Sequence, residues 1–327
     1  MPLPLLVWGA VGLAGLLGIG AHESAKETNE KAERRADGAK LKFTNAKGAL
    51  ERAHSDMESS LAKFGATKKN ILESSMREFL DAYKRLRITE FEISPDEKFD
   101  IKPDEILKIQ KMTNIYQDSF QAATGGAITV TLVSLAATGS LGALTTAGGA
   151  LLTGSFVTAA TTLTGVFAAT PIGALLGPVA LFTGAFADMR ADENLEKANA
   201  MYAQAELAEA KMLTQRDLCD AIRERANMLD NLLYELNRLF APTAANFNSM
   251  LRIRDGYFSG RKFSPREFSS QEHKFIASTR ALAGAVKAVM FDVKIANDSS
   301  DGKSVKLNEN FSSQYYELIE LAEKYLH

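Results

Sequence analysis

Residues 119–187 read SFQAATGGAITVTLVSLAATGSLGALTTAGGALLTGSFVTAATTLTGVFAATPIGALLGPVALFTGAFA, 69 positions without one Asp, Glu, Lys, Arg or His. In a chain that is 24% charged, so long a gap sets the first expectation about the fold. Eleven of the 23 glycines lie in it beside 13 threonines, so its apolar character per residue is modest. As one helix it would run roughly 100 Å, about three crossings of a ~30 Å hydrocarbon core. The sequence on either side is polar and helical in pattern. The expectation is a membrane-inserting hairpin carried between two helical arms. A hairpin buried in the core of a helical bundle is the alternative, because a helix that is apolar all round suits either place.

Small residues inside the stretch have the spacing of close helix contacts. Gly173 and Gly177 make a GxxxG pair, Gly184 lies seven further on, and Gly165 precedes them. Such residues let backbones approach where lipid supplies no hydrophobic drive. Gly148 and Gly149 tolerate a turn between the better spans, 126–147 and 163–187. Pro171 and Pro178 kink a span or mark the mouth of a turn. Two spans are favoured over three, because an even number returns the second arm beside the first, as antiparallel pairing requires.

Met1 to Ala21 is a second uncharged run, about the ~20 residues one span needs. Ala10, Ala14 and Gly18 place small residues four apart on one face. The readings are a retained membrane helix or a cleaved signal, and the absence of Lys or Arg ahead of the run favours the first. Lys26, Lys31, Arg34, Arg35 and Lys40 follow it, which places the bulk of the chain on the cytoplasmic side of a bacterial inner membrane.

The first arm, 23–118, carries a heptad seam: Ala32, Ala36, Ala39, Phe43, Ala46, Leu50, Ala53 and Met57, then Phe64. The seam falters at Gly65 and Lys68, with eight residues from Phe64 to Leu72 where seven are expected, and resumes through Met76, Phe79 and Tyr83. If residues 1–21 and 119–187 share one membrane, a straight first arm does not close the path, and Gly65 is the expected fold-back point. Pro103, Asp104 and Glu105 suit the start of a helix over 103–122.

The second arm, 188–241, has Leu195, Ala198, Tyr202 and Ala205, then Leu218, Ile222, Arg225, Leu229, Leu232, Leu236 and Leu239. Arg225 on that seam must sit at an edge or be paired. Pro242 is expected to end the arm. The region 242–327 holds shorter helices. Ser269 with Glu272 is a capping box before a helix over 270–290, and Gln314 to Leu326 is amphipathic. Asp298 to Gly302 is loop-like, with short strand-favouring runs on either side. The expected organisation is therefore an N-terminal hydrophobic helix (1–22), arm (23–118), uncharged hairpin (119–187), arm (188–241) and short-helix region (242–327). The fold class is all-α, an elongated antiparallel bundle or coiled coil.

The net charge of −2 gives no bulk attraction to nucleic acid. No zinc, phosphate-loop or nucleophile-elbow motif is present, and His22, His54, His273 and His327 are scattered. No catalytic residue, cofactor site or metal site is assigned, and an enzyme is the least favoured class. The lone Cys219 reads as a small buried residue. Arg252, Arg254, Arg261, Lys262 and Arg266 form a basic cluster interleaved with Tyr257, Phe258 and Phe263. It suits anionic lipid headgroups or a phosphate, with a solvated surface loop as the alternative.

The order of parts resembles cytolysin A-type α-pore-forming toxins and the apolipoprotein L membrane-addressing region. The opening MPLPLLVWGAVGLAGLLGIGA before a charged helix is similar to bacterial glycine-zipper proteins encoded near dynamin-like GTPases. The resemblance is architectural and covers about residues 1–240. It implies an oligomeric, pore-forming or bilayer-remodelling toxin or cell-defence effector whose partner is the lipid bilayer. The second function kept open is a membrane-anchored coiled-coil scaffold docking a protein partner such as a dynamin-like GTPase.

Overall fold

The computed structural model describes residues 21–87, 101, 105, 106, 109, 191–256, 261–298 and 305–326. These are all-α apart from one small hairpin. Helix α1 spans Ala21–Glu73, α2 Ser75–Tyr83 and α3 Ala191–Asp255. Then come a 3-10 turn, Pro265–Glu267, helix α4, Ser270–Lys287, and a π-helical turn, Ala288–Asp292. Strands β1, Ala296–Asp298, and β2, Val305–Leu307, pair antiparallel with Asn297 opposite Lys306, and α5, Phe311–Leu326, follows. By contacts the chain divides into two units. The first is Met1–Lys47 with Pro178–Lys211, and the second is Gly48–Gly177 with Met212–His327.

In the first unit α1 and α3 bury small side chains: Ala32, Ala39 and Ala46 from one, Ala198, Ala205 and Ala208 from the other. Side chains this short let helix backbones approach closely. A Cβ on Gly38 would sit 3.5 Å from the Tyr202 ring. Asn194 donates to Asn29 at 3.2 Å, Arg35 donates to Asn199, and Lys42 lies 3.2 and 3.3 Å from Glu206 and Glu209. Partners advance together along both helices, so α1 and α3 run parallel. The antiparallel expectation is corrected by this order. In a parallel pair the intervening chain must return from the end of one helix to the start of the other, so counting spans to bring the arms side by side has no force.

The second unit repeats that direction. Asp56 meets Arg223 at 3.4 Å, Lys63 meets Asp230 at 2.9 Å, and Ser75 donates to Asn237 at 2.6 Å. Phe79 packs against Tyr83, Phe240 and Phe247, with ring centres 5.3, 5.8 and 6.1 Å away. Each such pair adds roughly 0.5–1.5 kcal/mol beyond the area it buries. Helix α4 is buried on every side from Thr279 to Val286, which its Ala- and Gly-rich sequence permits. The Ser269–Glu272 capping box starts it as predicted.

The seam of α1 is buried as its heptads predict, Ala36 alone being half-buried. Gly65 does not fold the arm back: α1 continues to Glu73. At Ser74 the step into α2 keeps helical bonding, Ser74 donating to Asn70 and Glu78 to Ser74, both at 3.0 Å. Of the predicted seam of α3, Ile222, Leu229, Leu232 and Leu236 are buried, Leu218, Arg225 and Leu239 are half-buried, and Cys219, Ala226, Leu233 and Phe240 face inward beside them. This face is therefore wider than two positions per heptad.

Pro242 lies inside α3 and does not end it. Its ring is on an exposed face. Proline gives no N–H to the carbonyl four residues back, that of Arg238, and the Thr243 hydroxyl donates to other carbonyls of the same turn, those of Leu239 at 3.2 Å and Phe240 at 2.8 Å. The helix ends thirteen residues later, at Asp255, and Gly256 just beyond it has a φ of +58°, the left-handed conformation that glycine adopts without strain.

None of the described helices is long and apolar enough to cross a membrane. Charges recur throughout α1 and α3, so neither has the roughly 20 apolar residues a span needs. The membrane, transmembrane-helix and pore-forming readings are corrected accordingly for the described residues. The glycine-zipper positions, Ala10, Ala14, Gly18, Gly148, Gly149, Gly165, Pro171, Gly173, Gly177, Pro178 and Gly184, lie outside the described residues, as does the N-terminal run on which the inner-membrane location rested.

Candidate functional site: a basic corner

The C-terminal end of α3 carries Arg252 and Arg254 in its last turn, where cations are favoured by the carbonyl end of a helix. After α2 the chain leaves a turn at Lys84 and Arg85 and passes beside Phe263. Arg87 N–H donates to the Phe263 carbonyl at 2.8 Å and Phe263 N–H to the Arg85 carbonyl at 2.7 Å, forming a parallel bridge between Leu86 and Phe263. Leu86 and Phe263 are buried there. Arg87 and Lys262 beside them are exposed, while Arg85 is half-buried against Asp255.

Segments 85–87 and 252–272 thus meet with seven Lys or Arg side chains (85, 87, 252, 254, 261, 262 and 266) against three carboxylates (255, 267 and 272), an excess of four positive charges. The carboxylates are committed. Arg85 lies 3.7 Å from Asp255. Arg261 pairs with Glu267, whose other oxygen accepts the Ser264 N–H at 2.9 Å. Arg254 donates to the Glu267 carbonyl at 2.6 Å and to Glu272 at 2.5 Å. The Ser269 backbone bond first, and Arg254 after it, hold the Glu272 carboxyl down at about 2.

Two arginine planes are held against rings, Arg254 at 4.9 Å from the Phe268 centre and Arg261 at 5.3 Å from Phe263. Phe268 also meets His273, whose Nε2 lies 2.9 Å from the Pro265 carbonyl. Arg252, Lys262 and Arg266 are exposed, and no ion pair or hydrogen bond engages their side chains among the described residues. Beside them Ile253 is 82% exposed.

All five residues of the predicted basic cluster therefore lie in this corner, but they divide into two kinds. Arg254 and Arg261 are bound within the fold, and Arg252, Lys262 and Arg266 face solvent. Phe263 is core and not an exposed stacking surface, while Tyr257 and Phe258 lie outside the described residues. Arg85 and Arg87 were missed. The local signal was present in the alternation Arg85-Leu86-Arg87 and Lys262-Phe263, but nothing local pairs the two segments.

Lys68 is a second residue with an unusual setting. It lies on the buried face of α1, its Nζ 4.4 Å from the Phe64 ring centre, and burial lowers its pKa to about 7. It fills the eight-residue gap between Phe64 and Leu72 in two steps of four. Cys219 is buried and its thiol is pushed up to about 11, chiefly by burial, which makes it a poor nucleophile. One hollow of about 520 Å³ runs along α3 and is lined by Asp217, Asp220, Arg223, Glu224, Asn227 and neighbours. It is open and polar, and it lies on one helix. Among the described residues no group of His, Cys, Asp and Glu is arranged to hold a metal ion.

No protein-family model, curated protein or solved structure matches this chain.

Proposed function

We propose that this chain is a non-enzymatic helical scaffold that docks a protein partner through the basic corner of its second unit. The observation that carries the reading is the preformed excess of positive charge on segments 85–87 and 252–272. Three exposed cations there are supported by two arginines already fixed by carboxylates and rings. Among the described residues the three exposed cations are not engaged within the fold, and charge complementarity speeds encounter and selects partners. The resemblance to proteins encoded near dynamin-like GTPases makes such a GTPase the first partner to test.

The test is purification of the tagged chain from its own cells, beside the triple variant Arg252→Glu, Lys262→Glu and Arg266→Glu. A stoichiometric companion that leaves with the triple variant, and that rebinds the purified wild-type chain in a titration weakened by salt, supports the reading. A companion that binds both chains equally removes the corner from it.

A further inference from the structure

We infer that the basic corner takes an acidic peptide segment of the partner, with an apolar side chain of that segment seated on Ile253. The inference rests on the scaffold reading above and specifies its ligand. Arg252, Lys262 and Arg266 form the charged side of the site, and Ile253 lies between Arg252 and Arg254 on the same last turn of α3. At 82% exposure it is the most exposed large hydrophobic among the described residues.

Covering Ile253 with an apolar side chain removes its surface from water, and the exposed cations Arg252, Lys262 and Arg266 then select carboxylates of the same segment. A free phosphate has nothing to place on Ile253. Nucleic acid prefers exposed aromatic platforms, and among the described residues the corner's phenylalanines, Phe263 and Phe268, are buried in its own packing. The internal pairs Arg254–Glu272 and Arg261–Glu267 keep two of the three carboxylates from folding over the exposed cations. The third, Asp255, is buried and faces Arg85.

The probe is a fluorescein-labelled twelve-residue peptide of Asp and Glu with one central Leu, titrated by anisotropy into the full chain. Binding is expected to weaken about tenfold in Arg252→Ala/Lys262→Ala/Arg266→Ala and about fivefold in Ile253→Ser, and to fall as salt screens the pairs. Replacing the peptide's Leu by Ser costs the wild-type chain a similar factor and costs the Ile253→Ser chain little. All four substituted side chains are exposed, so unchanged circular dichroism verifies the fold of each variant.

Peptide binding that none of these changes weakens overturns the inference. So does tighter binding of single-stranded DNA of equal charge, of phosphatidylserine vesicles, or of inorganic phosphate. If the peptide fails while the cellular companion still depends on Arg252, Lys262 and Arg266, the scaffold reading stands and the acidic ligand is wrong. If both fail, both readings fall.

Discussion

Lys63 Nζ lies 2.9 Å from the carboxylate of Asp230, seven residues beyond the Asp56–Arg223 pair on both helices. A shared step of seven in the same direction is the mark of parallel helices. We expect Asp56→Cys with Arg223→Cys, in a Cys219→Ser background, to cross-link within one chain under a short bifunctional reagent. Asp56→Cys with Asn237→Cys should not, although an antiparallel pair crossing at Lys63–Asp230 would bring those two together. Efficient linkage of the second pair and not the first would reverse the assignment.

Arg225 Nη1 donates to the carbonyls of Ile295 at 3.0 Å and Asn308 at 2.9 Å, and its guanidinium lies 4.6 Å from the Phe311 ring centre. One side chain of α3 thus ties both ends of the β-hairpin and the start of α5. Arg225→Ala should cost about 2–3 kcal/mol in denaturant unfolding, because two carbonyls lose a charged donor. Arg225→Lys should restore less than half of that, lacking the planar fork and the stack. Hydrogen exchange over residues 294–312 should quicken in both variants. Protection equal to wild type would show that the hairpin is held by other contacts.

Lys68 gives a pH dependence of defined sign. Its pKa is lowered by burial from 10.5 to about 7, so between those values the unfolded chain binds a proton that the folded chain does not. Stability should therefore rise as pH climbs from 7 to 10.5 and be insensitive to this group below 7. Lys68→Met, of similar length and apolar, should flatten that rise and stabilise the fold at pH 7 on the order of 2 kcal/mol. Identical Tm profiles for the two chains across pH 7–10 would refute a neutral buried lysine.

Glu272 acts in the opposite direction. Held at about 2 by the Ser269 backbone bond and Arg254, against an ordinary 4.5, it contributes stability above pH 4.5 that is lost as pH falls toward 2. Glu272→Gln should shrink the acid-side loss of Tm and leave α4 starting less firmly, read as faster exchange of its first turn. An acid limb of equal size in both chains would place the acid sensitivity elsewhere.

Much of the helical layout was legible from residues alone. The heptads through Phe43, Leu50 and Met57 named the buried face of α1, because a 3.6-residue repeat sorts side chains before any partner is present. The Ser269–Glu272 box was equally local. The seam of α3 was harder to read, since Leu232 and Leu233 are both buried and leucine frequency cannot choose between adjacent positions. Pro242 does not end the helix because its ring lies on an exposed face, which the rule that proline stops a helix does not consider. Five of the corner's seven cations were visible as a cluster, without its division into bound and exposed side chains.

Helix content, the inward face of α1 and the capped start of α4 follow from interactions within a few residues along the chain. The direction in which α1 and α3 pair does not, because an a/d seam buries its side chains against a parallel or an antiparallel partner. Contacts between residues more than 160 positions apart, such as Asp56 with Arg223, select one direction. The same holds for the corner. Arg85 and Arg87 join the segment that holds Lys262 only because Leu86 and Phe263 share one buried bridge, and a charge excess built across such a distance exists only after the chain has folded.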